Sequence, residues 1–253
     1  MRILLAADLH YSLRQWDWLC RAAGKFDVVV HAGDFLDVAA TVDLDVQILV
    51  TLKYLRRLQP ESQILAASGN HDLDREGPSG EREAGWMNRA RRLGIQVDGD
   101  SLDRDGYRIT VFPWWEGPAG RTSVVEQMQL SQPPPGTGWI WAYHAPPTQT
   151  PVSWTGKEWF GDAYLGEWIE RFRPLMVLTG HVHHAPFSKG GSWAHRQHGA
   201  WVFNAGRQIG PWPAHVRIDL DRQLATWVSL AGEETRELKE DAGDPKTALS
   251  RTG

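Results

Sequence analysis

Five short motifs place carboxylates, imidazoles and one amide directly after runs of apolar residues. Along the chain they are Asp-X-His, Gly-Asp, Gly-Asn-His-Asp, a single His and Gly-His-X-His. Such oxygen and nitrogen ligands, without a thiolate, suit divalent ions such as manganese, iron(II) or zinc. Two ions about 3.5–4 Å apart that share a carboxylate would use all of these groups, whereas one ion would not. The seven candidate ligands are Asp8, His10, Asp34, Asn70, His144, His181 and His183.

The apolar runs before the first three motifs predict the strands that position these groups. Buried strands are predicted at 2–8, 27–34 and 63–68, and amphipathic helices at 13–23 and 43–58. This β-α-β-α-β order requires parallel strands joined by helical crossovers. Because open α/β sheets bind ligands at the carboxyl ends of their strands, we expect the motifs to meet at one edge.

The remainder of the chain predicts more strands and then a polar tail. The number of strands favours two packed sheets. From Gly232 onward the residues are almost all polar, which predicts a solvated helix that frays into disorder. We therefore expect one domain over 1–231 and a partly disordered tail over 232–253. The later strands are predicted at 107–112, 139–144, 175–179, 201–204, 214–219 and 224–230.

Taken in this order, the five motifs resemble those of the calcineurin-like metallophosphoesterase superfamily. The resemblance covers roughly residues 1–207, and five motifs in sequence are far more specific than any one of them. It implies an α/β fold, a four-layer α/β/β/α sandwich of two mixed sheets flanked by helices. The motif Gly-Asn-His-Asp and the short chain look most like the bacterial phosphodiesterase branch.

The resemblance also implies a role for each motif residue. His71 would face the substrate and protonate the leaving group, and Asp72 would orient His71. A hydroxide bridging two divalent metals would attack phosphorus, and manganese is favoured over iron or zinc. The first metal would be bound by Asp8, His10, Asp34 and His183, and the second by Asp34, Asn70, His144 and His181.

Each motif taken alone has an ordinary explanation, such as a helix cap, a core histidine or a tight turn. Only the whole set, with every member at the end of a predicted strand, favours a metal site. Asp37, His31 and His184 lie beside motifs, and we expect them to pack or to support the ligands instead of binding metal.

Two residues outside the motifs are candidate substrate contacts. Arg207 follows a late strand and could bind a phosphate through two oxygens, although a tight turn over 204–207 is the favoured explanation. Trp154 belongs to the aromatic segment 145–161, which directly follows a candidate ligand. It could stack on a base or cover an apolar leaving group, but packing within the loop is favoured.

The composition indicates in which cellular compartment the protein functions and which classes of partner it binds. The net charge of −4 argues against a surface that binds nucleic acid throughout. Cys20 is the single cysteine, which excludes an intramolecular disulfide and favours a reducing compartment. No apolar run reaches the ~18 residues that a membrane span needs. We expect a cytoplasmic protein without a membrane partner, and the sequence does not indicate its oligomeric state.

Together these features predict a metal-dependent hydrolase of phosphate esters. A phosphodiester is favoured over a monoester, and the substrate could be a nucleotide or single-stranded nucleic acid. The alternative activity is a manganese-dependent single-strand DNA endonuclease. A scaffold of the same fold that binds partners without catalysis is disfavoured, because all seven candidate ligands are present.

Overall fold

Three short apolar runs form the parallel centre of the first sheet in the computed structural model, which describes residues 1–239. These strands are β1 (Arg2–Ala6), β2 (Val28–Ala32) and β3 (Gln63–Ala67). β2 is buried along its whole length and pairs in parallel with both neighbours. The crossovers contain α1 (Leu13–Ala22) and α2 (Leu44–Leu58). The predicted β-α-β-α-β order is confirmed.

The chain after β3 supplies the second sheet and both ends of the first. The later elements are β4 (Arg75–Glu76), β5 (Arg82–Glu83), α3 (Met87–Arg91), β6 (Gln96–Val97), β7 (Ser101–Arg104), β8 (Tyr107–Val111), α4 (Pro118–Leu130), β9 (Gly138–Ala142), α5 (Leu165–Phe172), β10 (Met176–Thr179), β11 (Ala194–Gln197), β12 (Ala200–Asn204), β13 (His215–Asp219), β14 (Leu224–Ser229) and β15 (Gly232–Glu237).

Two mixed sheets pack face to face between layers of helices. The first has the order β15-β14-β13-β1-β2-β3-β6 and the second β11-β12-β10-β9-β8-β7. Apolar side chains from both sheets, among them Val30 and Leu178, form the core between them. The helices α1 to α3 cover the outer face of the first sheet, and α4 and α5 cover that of the second. The predicted α/β/β/α sandwich is confirmed.

The polar segment after residue 231 differs from the prediction. Residues Gly232–Glu237 form β15, which pairs antiparallel with β14 at the sheet edge, so the helix expected from Gly232 is wrong here. An edge strand needs only backbone hydrogen bonds on one side and tolerates charged side chains on both faces. The rest of the predicted tail, 240–253, lies outside the described residues. The division into a domain over 1–231 and a tail stays a prediction.

Among residues 1–239, no helix has the length and the apolar composition required to cross a bilayer. The cytoplasmic location stays a prediction.

The core between the sheets yields a stability prediction. Leu178 is fully buried there, so Leu178→Ala should lower the free energy of unfolding by about 2–5 kcal/mol through lost burial and a cavity. Leu130→Ala is the matched control, because Leu130 is 88% exposed. Urea denaturation followed by circular dichroism measures both variants. Equal stabilities of the two variants would contradict the position assigned to Leu178.

Candidate metal centre

Four candidate ligands lie directly after strands with their backbone in the left-handed region. The φ angle is 55° at Asp8, 42° at His10, 57° at Asp34 and 65° at His181. Residues other than glycine rarely adopt this conformation, which costs on the order of 1–3 kcal/mol each and persists only where the surroundings impose it. Such strained residues are enriched at functional sites, and four of the ten non-glycine residues with positive φ among residues 1–239 are candidate ligands at this edge of the sheets.

The first group of side chains consists of Asp8, His10, Asp34 and His183, whose ligand atoms all lie within 4.8 Å of one another. His10 Nε2 is 3.1 Å from His183 Nε2 and 3.6 Å from Asp34 Oδ2. His183 Nε2 is 3.4 Å from Asp8 Oδ1. The structure therefore brings together the four residues that we predicted for the first metal.

The second group combines Asp34, His144 and His181, again within 4.8 Å, with Asn70. Asn70 Oδ1 is 3.2 Å from His144 Nε2 and 3.0 Å from His181 Nδ1. Asp34 Oδ1 is 3.4 Å from His144 Nε2, while its other oxygen faces His10. One carboxylate thus presents an oxygen to each group, as a bridging ligand would. That these seven residues bind metal stays a prediction.

Glycines allow the motifs to approach one another closely. A Cβ atom on Gly33 would lie 2.2 Å from His144 Nδ1, and one on Gly180 would lie 2.4 Å from Asp8 Oδ2. His144 Nδ1 donates a hydrogen bond to the carbonyl oxygen of Ala32 at 2.7 Å. This contact orients the ring so that its Nε2 atom faces Asp34.

Asp72 supports the Asp34 turn and not His71. Its fully buried carboxylate accepts hydrogen bonds from four backbone N–H groups at 2.8–3.1 Å, and no hydrogen bond to His71 occurs among residues 1–239. The predicted orientation of His71 by Asp72 is therefore wrong. The short 3-10 turn at 70–72 directs the carboxylate inward instead. The four donors belong to Asp34, Phe35, Leu36 and Gly69.

Most of the candidate ligands hold the protonation states that metals require. Burial acts to raise the pKa of Asp8 and Asp34, but contacts with His183 and His144 outweigh it, so both pKa values lie below the ordinary one. Burial lowers the pKa of His10 to about 4 and that of His181 to about 3. Ionised carboxylates and neutral imidazoles are the forms that bind cations.

His144 is the exception among the imidazoles. Its burial opposes protonation, but the negative charge of Asp34 and the hydrogen bond to it raise the His144 pKa to about 9. In the cation-free protein a proton on His144 therefore partly balances the buried carboxylates. The set of buried oxygen and nitrogen donors fits divalent cations, which would replace this proton with larger positive charge.

His71 faces a cavity of about 350 Å³ that Asp34, His181 and His183 also line. Its ring lies 4.5 Å from that of His10 between centroids. A side chain in this position can reach a substrate bound at the candidate ligands. The role of His71 as a catalytic acid stays a prediction.

His31 and Asp37, which flank the second motif, have different surroundings. Both ring nitrogens of His31 are buried without a hydrogen-bond partner among residues 1–239, and its ring stacks on Phe35 at 3.8 Å between centroids, which agrees with the expected packing role. Asp37 offers an oxygen within 4.8 Å of ligand atoms of His10 and His71, a position from which it can support the ligands as expected.

Neither of the two candidate substrate contacts lines the cavity at the ligands. Trp154 donates a hydrogen bond to the Lys189 carbonyl at 3.1 Å and packs on Trp159, so this part of the loop packs on itself. Arg207 donates its backbone N–H to the His183 carbonyl at 3.1 Å and lines a separate cavity of about 260 Å³ with Arg14. Substrate binding by either residue stays a prediction.

Of two aromatic rings that contact His181, sequence reasoning included Phe160 only as part of the aromatic segment 145–161 and did not identify Trp114. Phe160 stacks on His181 with 4.9 Å between ring centroids, and Trp114 lies 5.2 Å from His181. A signal for Trp114 exists in the sequence. It follows β8, which is parallel to β9, so both strands end at the edge that carries His144. Phe160 belongs to the aromatic segment 145–161, but Trp154 was the residue of that segment that we predicted to contact the substrate.

The comparisons with known proteins agree with the fold. A family model described as calcineurin-like phosphoesterase matches residues 1–185, and a search of curated proteins by sequence returns no match. One solved structure is 13% identical with a TM-score of 0.61, over 94% of this chain and 99% of that one. The purple acid phosphatase PPD1 from seeds of yellow lupin (Lupinus luteus) is 14% identical with a TM-score of 0.54, over 94% of this chain and 51% of the phosphatase. At these identities the likeness to solved structures is one of fold.

The contacts of Asp72 yield a prediction for metal affinity. Asp72→Asn replaces one carboxylate oxygen with an NH2 group, which cannot accept the two backbone N–H groups that contact that oxygen, so the Asp34 turn should loosen. We expect the affinity for Mn²⁺ to fall about 10- to 100-fold although no candidate ligand changes. Isothermal titration calorimetry measures it. Asp103→Asn is the control, because Asp103 pairs with Arg108 at the surface. An unchanged affinity of Asp72→Asn would refute the supporting role.

The pKa of His144 yields a second prediction. Because this pKa is about 9, His144 is protonated at pH 7 and must lose its proton to bind a cation. Binding of Mn²⁺ at pH 7 should therefore release about one proton per chain, and the affinity should rise with pH until about pH 9. Calorimetry in buffers of different ionisation enthalpy counts the protons. A release near zero at pH 7 would show that His144 is already neutral.

Proposed function

Because the chain belongs to the calcineurin-like phosphoesterase family, we propose that it hydrolyses a phosphodiester at a pair of divalent cations. The observation that carries this proposal is the position of Asp34, which presents one carboxylate oxygen to each group of candidate ligands. A single bridging carboxylate is the usual way for a protein to hold two cations close enough to act on one phosphate. Manganese is the proposed metal, with iron or zinc as alternatives.

The proposed ligand sets are the two groups described above. Asp8, His10, Asp34 and His183 would hold one cation, and Asp34, Asn70, His144 and His181 would hold the other. When bound, the cations would supply Lewis-acid stabilisation of the phosphoryl oxygens and lower the pKa of a water molecule toward about 7. Two dications less two carboxylates leave the site positive, so it attracts a phosphate despite the net charge of −4.

The residues of the chain supply the remaining parts of the reaction. Water adds across a P–O ester bond, so that phosphorus keeps the hydroxyl oxygen and the departing alcohol takes a proton. His71 lines the cavity beside the ligands and is the proposed donor of that proton. Gly33 and Gly180 let the turns approach without a steric clash, and Ala32 holds the His144 ring in place.

A diester is favoured over a monoester because of the space beside the candidate ligands. A cavity of about 540 Å³ adjoins the second group and shares Asn70 and His181 with it. A phosphodiester carries two organic substituents, one of which must be accommodated while the other departs. A second cavity of about 350 Å³ adjoins the same ligands, so both substituents of a diester can be accommodated, whereas the one substituent of a monoester would leave a cavity unfilled.

Substitutions at Asp34 and His71 should separate metal binding from proton donation. Asp34→Ala should lose the bound metal and all hydrolysis. His71→Asn should keep the metal but lower kcat by about 10²- to 10⁴-fold for a diester with an alkyl leaving group. The loss should be much smaller for a p-nitrophenyl diester, because nitrophenolate leaves without a proton. Metal analysis and steady-state kinetics provide the readouts.

The control for both variants is His198→Ala, an exposed histidine outside the site. The substrates include mono- and diesters with manganese, iron, zinc and magnesium, together with circular single-stranded DNA, whose nicking would indicate the endonuclease alternative. Full hydrolytic activity of Asp34→Ala, or a wild-type protein that binds metal and cleaves no ester, would refute the proposed function.

A further inference from the structure

A cavity with aromatic walls lies beside the second group of candidate ligands. Its volume of about 540 Å³ is within the range of about 300–1,000 Å³ that is typical of small-molecule sites. It meets the cavity in front of His71 at three shared residues, Asn70, Phe160 and His181. The aromatic side chains in its lining are Trp114, Trp115, Tyr143, Phe160 and Tyr164.

A buried hydrogen-bond chain holds part of this wall in place. Trp115 Nε1 donates to the Tyr143 hydroxyl at 2.8 Å, and that hydroxyl donates to Asp162. The other oxygen of Asp162 accepts the backbone N–H groups of Tyr164 and Leu165 at 2.7 and 3.1 Å. Because these polar groups are already engaged, the cavity offers ring faces whose positions are set before any ligand binds.

Two of the rings remain unusually exposed. Phe160 is 53% exposed and Tyr164 is 37% exposed, although both border the cavity. Arg121 lies over the ring of Tyr164, with its guanidinium carbon 4.2 Å from the centroid. Large apolar rings that stay accessible to solvent beside a polar site are typical of a surface that a ligand covers.

The charges around the cavity limit what it can accept. Its lining includes the carboxylates Glu116 and Asp162, and the nearby cation Arg121 lies over Tyr164 and is not part of the lining. Two carboxylates against one arginine disfavour a second phosphate or another anionic group there. A neutral planar ring suits the wall, because it can stack on aromatic faces, and its amino groups can donate hydrogen bonds to Glu116.

We propose that this cavity binds the nucleobase of a nucleotide phosphodiester whose phosphorus atom lies at the candidate metal centre. This inference rests on the proposed function, because the base is placed relative to that centre. The nucleoside is one of the two groups esterified to phosphorus. A base on a mononucleotide and a base within a single strand share this chemistry.

The test is a binding comparison that does not require catalysis. The probes are nonhydrolysable phosphonate analogues of AMP and of ribose 5-phosphate, which differ only in the base, titrated into the Mn²⁺-loaded protein. Base stacking should make the AMP analogue bind about 10- to 100-fold more tightly. Tyr164→Leu and Phe160→Leu should each reduce this ratio about tenfold, because leucine keeps apolar area but cannot stack in the same way.

The matched control is Trp159→Leu. Trp159 directly precedes Phe160 and is 45% exposed, but it packs on Trp154 and does not line the cavity. This variant should keep the wild-type ratio. Metal analysis of each variant verifies that the candidate centre is intact, which matters for Phe160 because it stacks on His181.

Three results would overturn the inference. They are equal affinities of the two analogues, a wild-type ratio in both Tyr164→Leu and Phe160→Leu, and tighter binding of the phosphonate analogue of phosphocholine, which would indicate a cation site. If hydrolysis of esters is seen but the affinities are equal, only this inference fails. If no ester is cleaved but the base still strengthens binding, only the proposed function fails.

A competition experiment distinguishes the two sources of the base. A single-stranded DNA oligonucleotide that displaces the AMP analogue more effectively than AMP itself supports the inference with a strand as the ligand. An oligonucleotide that displaces it less effectively supports the inference with a free nucleotide as the ligand.

Discussion

The carboxylate of Asp34 imposes the constraint on which the rest of the site depends. Its two oxygens face two different groups of donors, so the residue must sit deep between the sheets with its backbone turned into the left-handed region. Gly33 makes room because any Cβ there would collide with His144. Asp72 then accepts the N–H of Asp34 and of the next two residues, which stabilises the turn. The strained backbone of Asp34, the glycine at position 33 and the buried carboxylate of Asp72 are thus all explained by the need to place one carboxylate between two groups of donors.

The two-sheet fold satisfies this requirement by bringing distant segments to one edge. β1, β2 and β3 end beside β9 and β10 of the other sheet, and β2 contacts both of the latter. Buried charges are costly unless they are paired, and Asp8 and Asp34 are both almost fully buried. In the cation-free chain the protonated His144 offsets only part of their charge. Divalent cations would offset the remainder, so folding at this edge and metal binding are expected to support each other.

The sequence predicted the parts of the molecule in which a buried apolar run ends in polar residues, because that contrast is visible locally. From this contrast we predicted the parallel strands and the residues of the two groups around Asp34. It failed for Gly232–Glu237, where charged residues form an edge strand through backbone pairing alone. It also missed Pro118–Leu130, a helix that buries only Val124 and Met128 and so carries a weak apolar pattern. The direction of Asp72 depends on a three-residue turn, which no periodicity reveals.

The aromatic cavity was not predictable for a further reason, since its rings come from separate segments that only the fold brings together. Because the aromatic rings and the motif residues lie on different segments, substitutions affect them differently. The motif residues lie on turns that strain and buried hydrogen bonds determine closely, so they tolerate little alteration. Trp115, Phe160 and Tyr164 lie on the connections that follow β8 and β9, where substitutions need not disturb the turns around Asp34. Under the proposed base-binding role, contacts in this cavity would be made equally by substrate and transition state and would therefore set affinity, whereas the groups around phosphorus would set the rate. Substrate preference can thus vary in the loops while the chemistry at the sheet edge is retained.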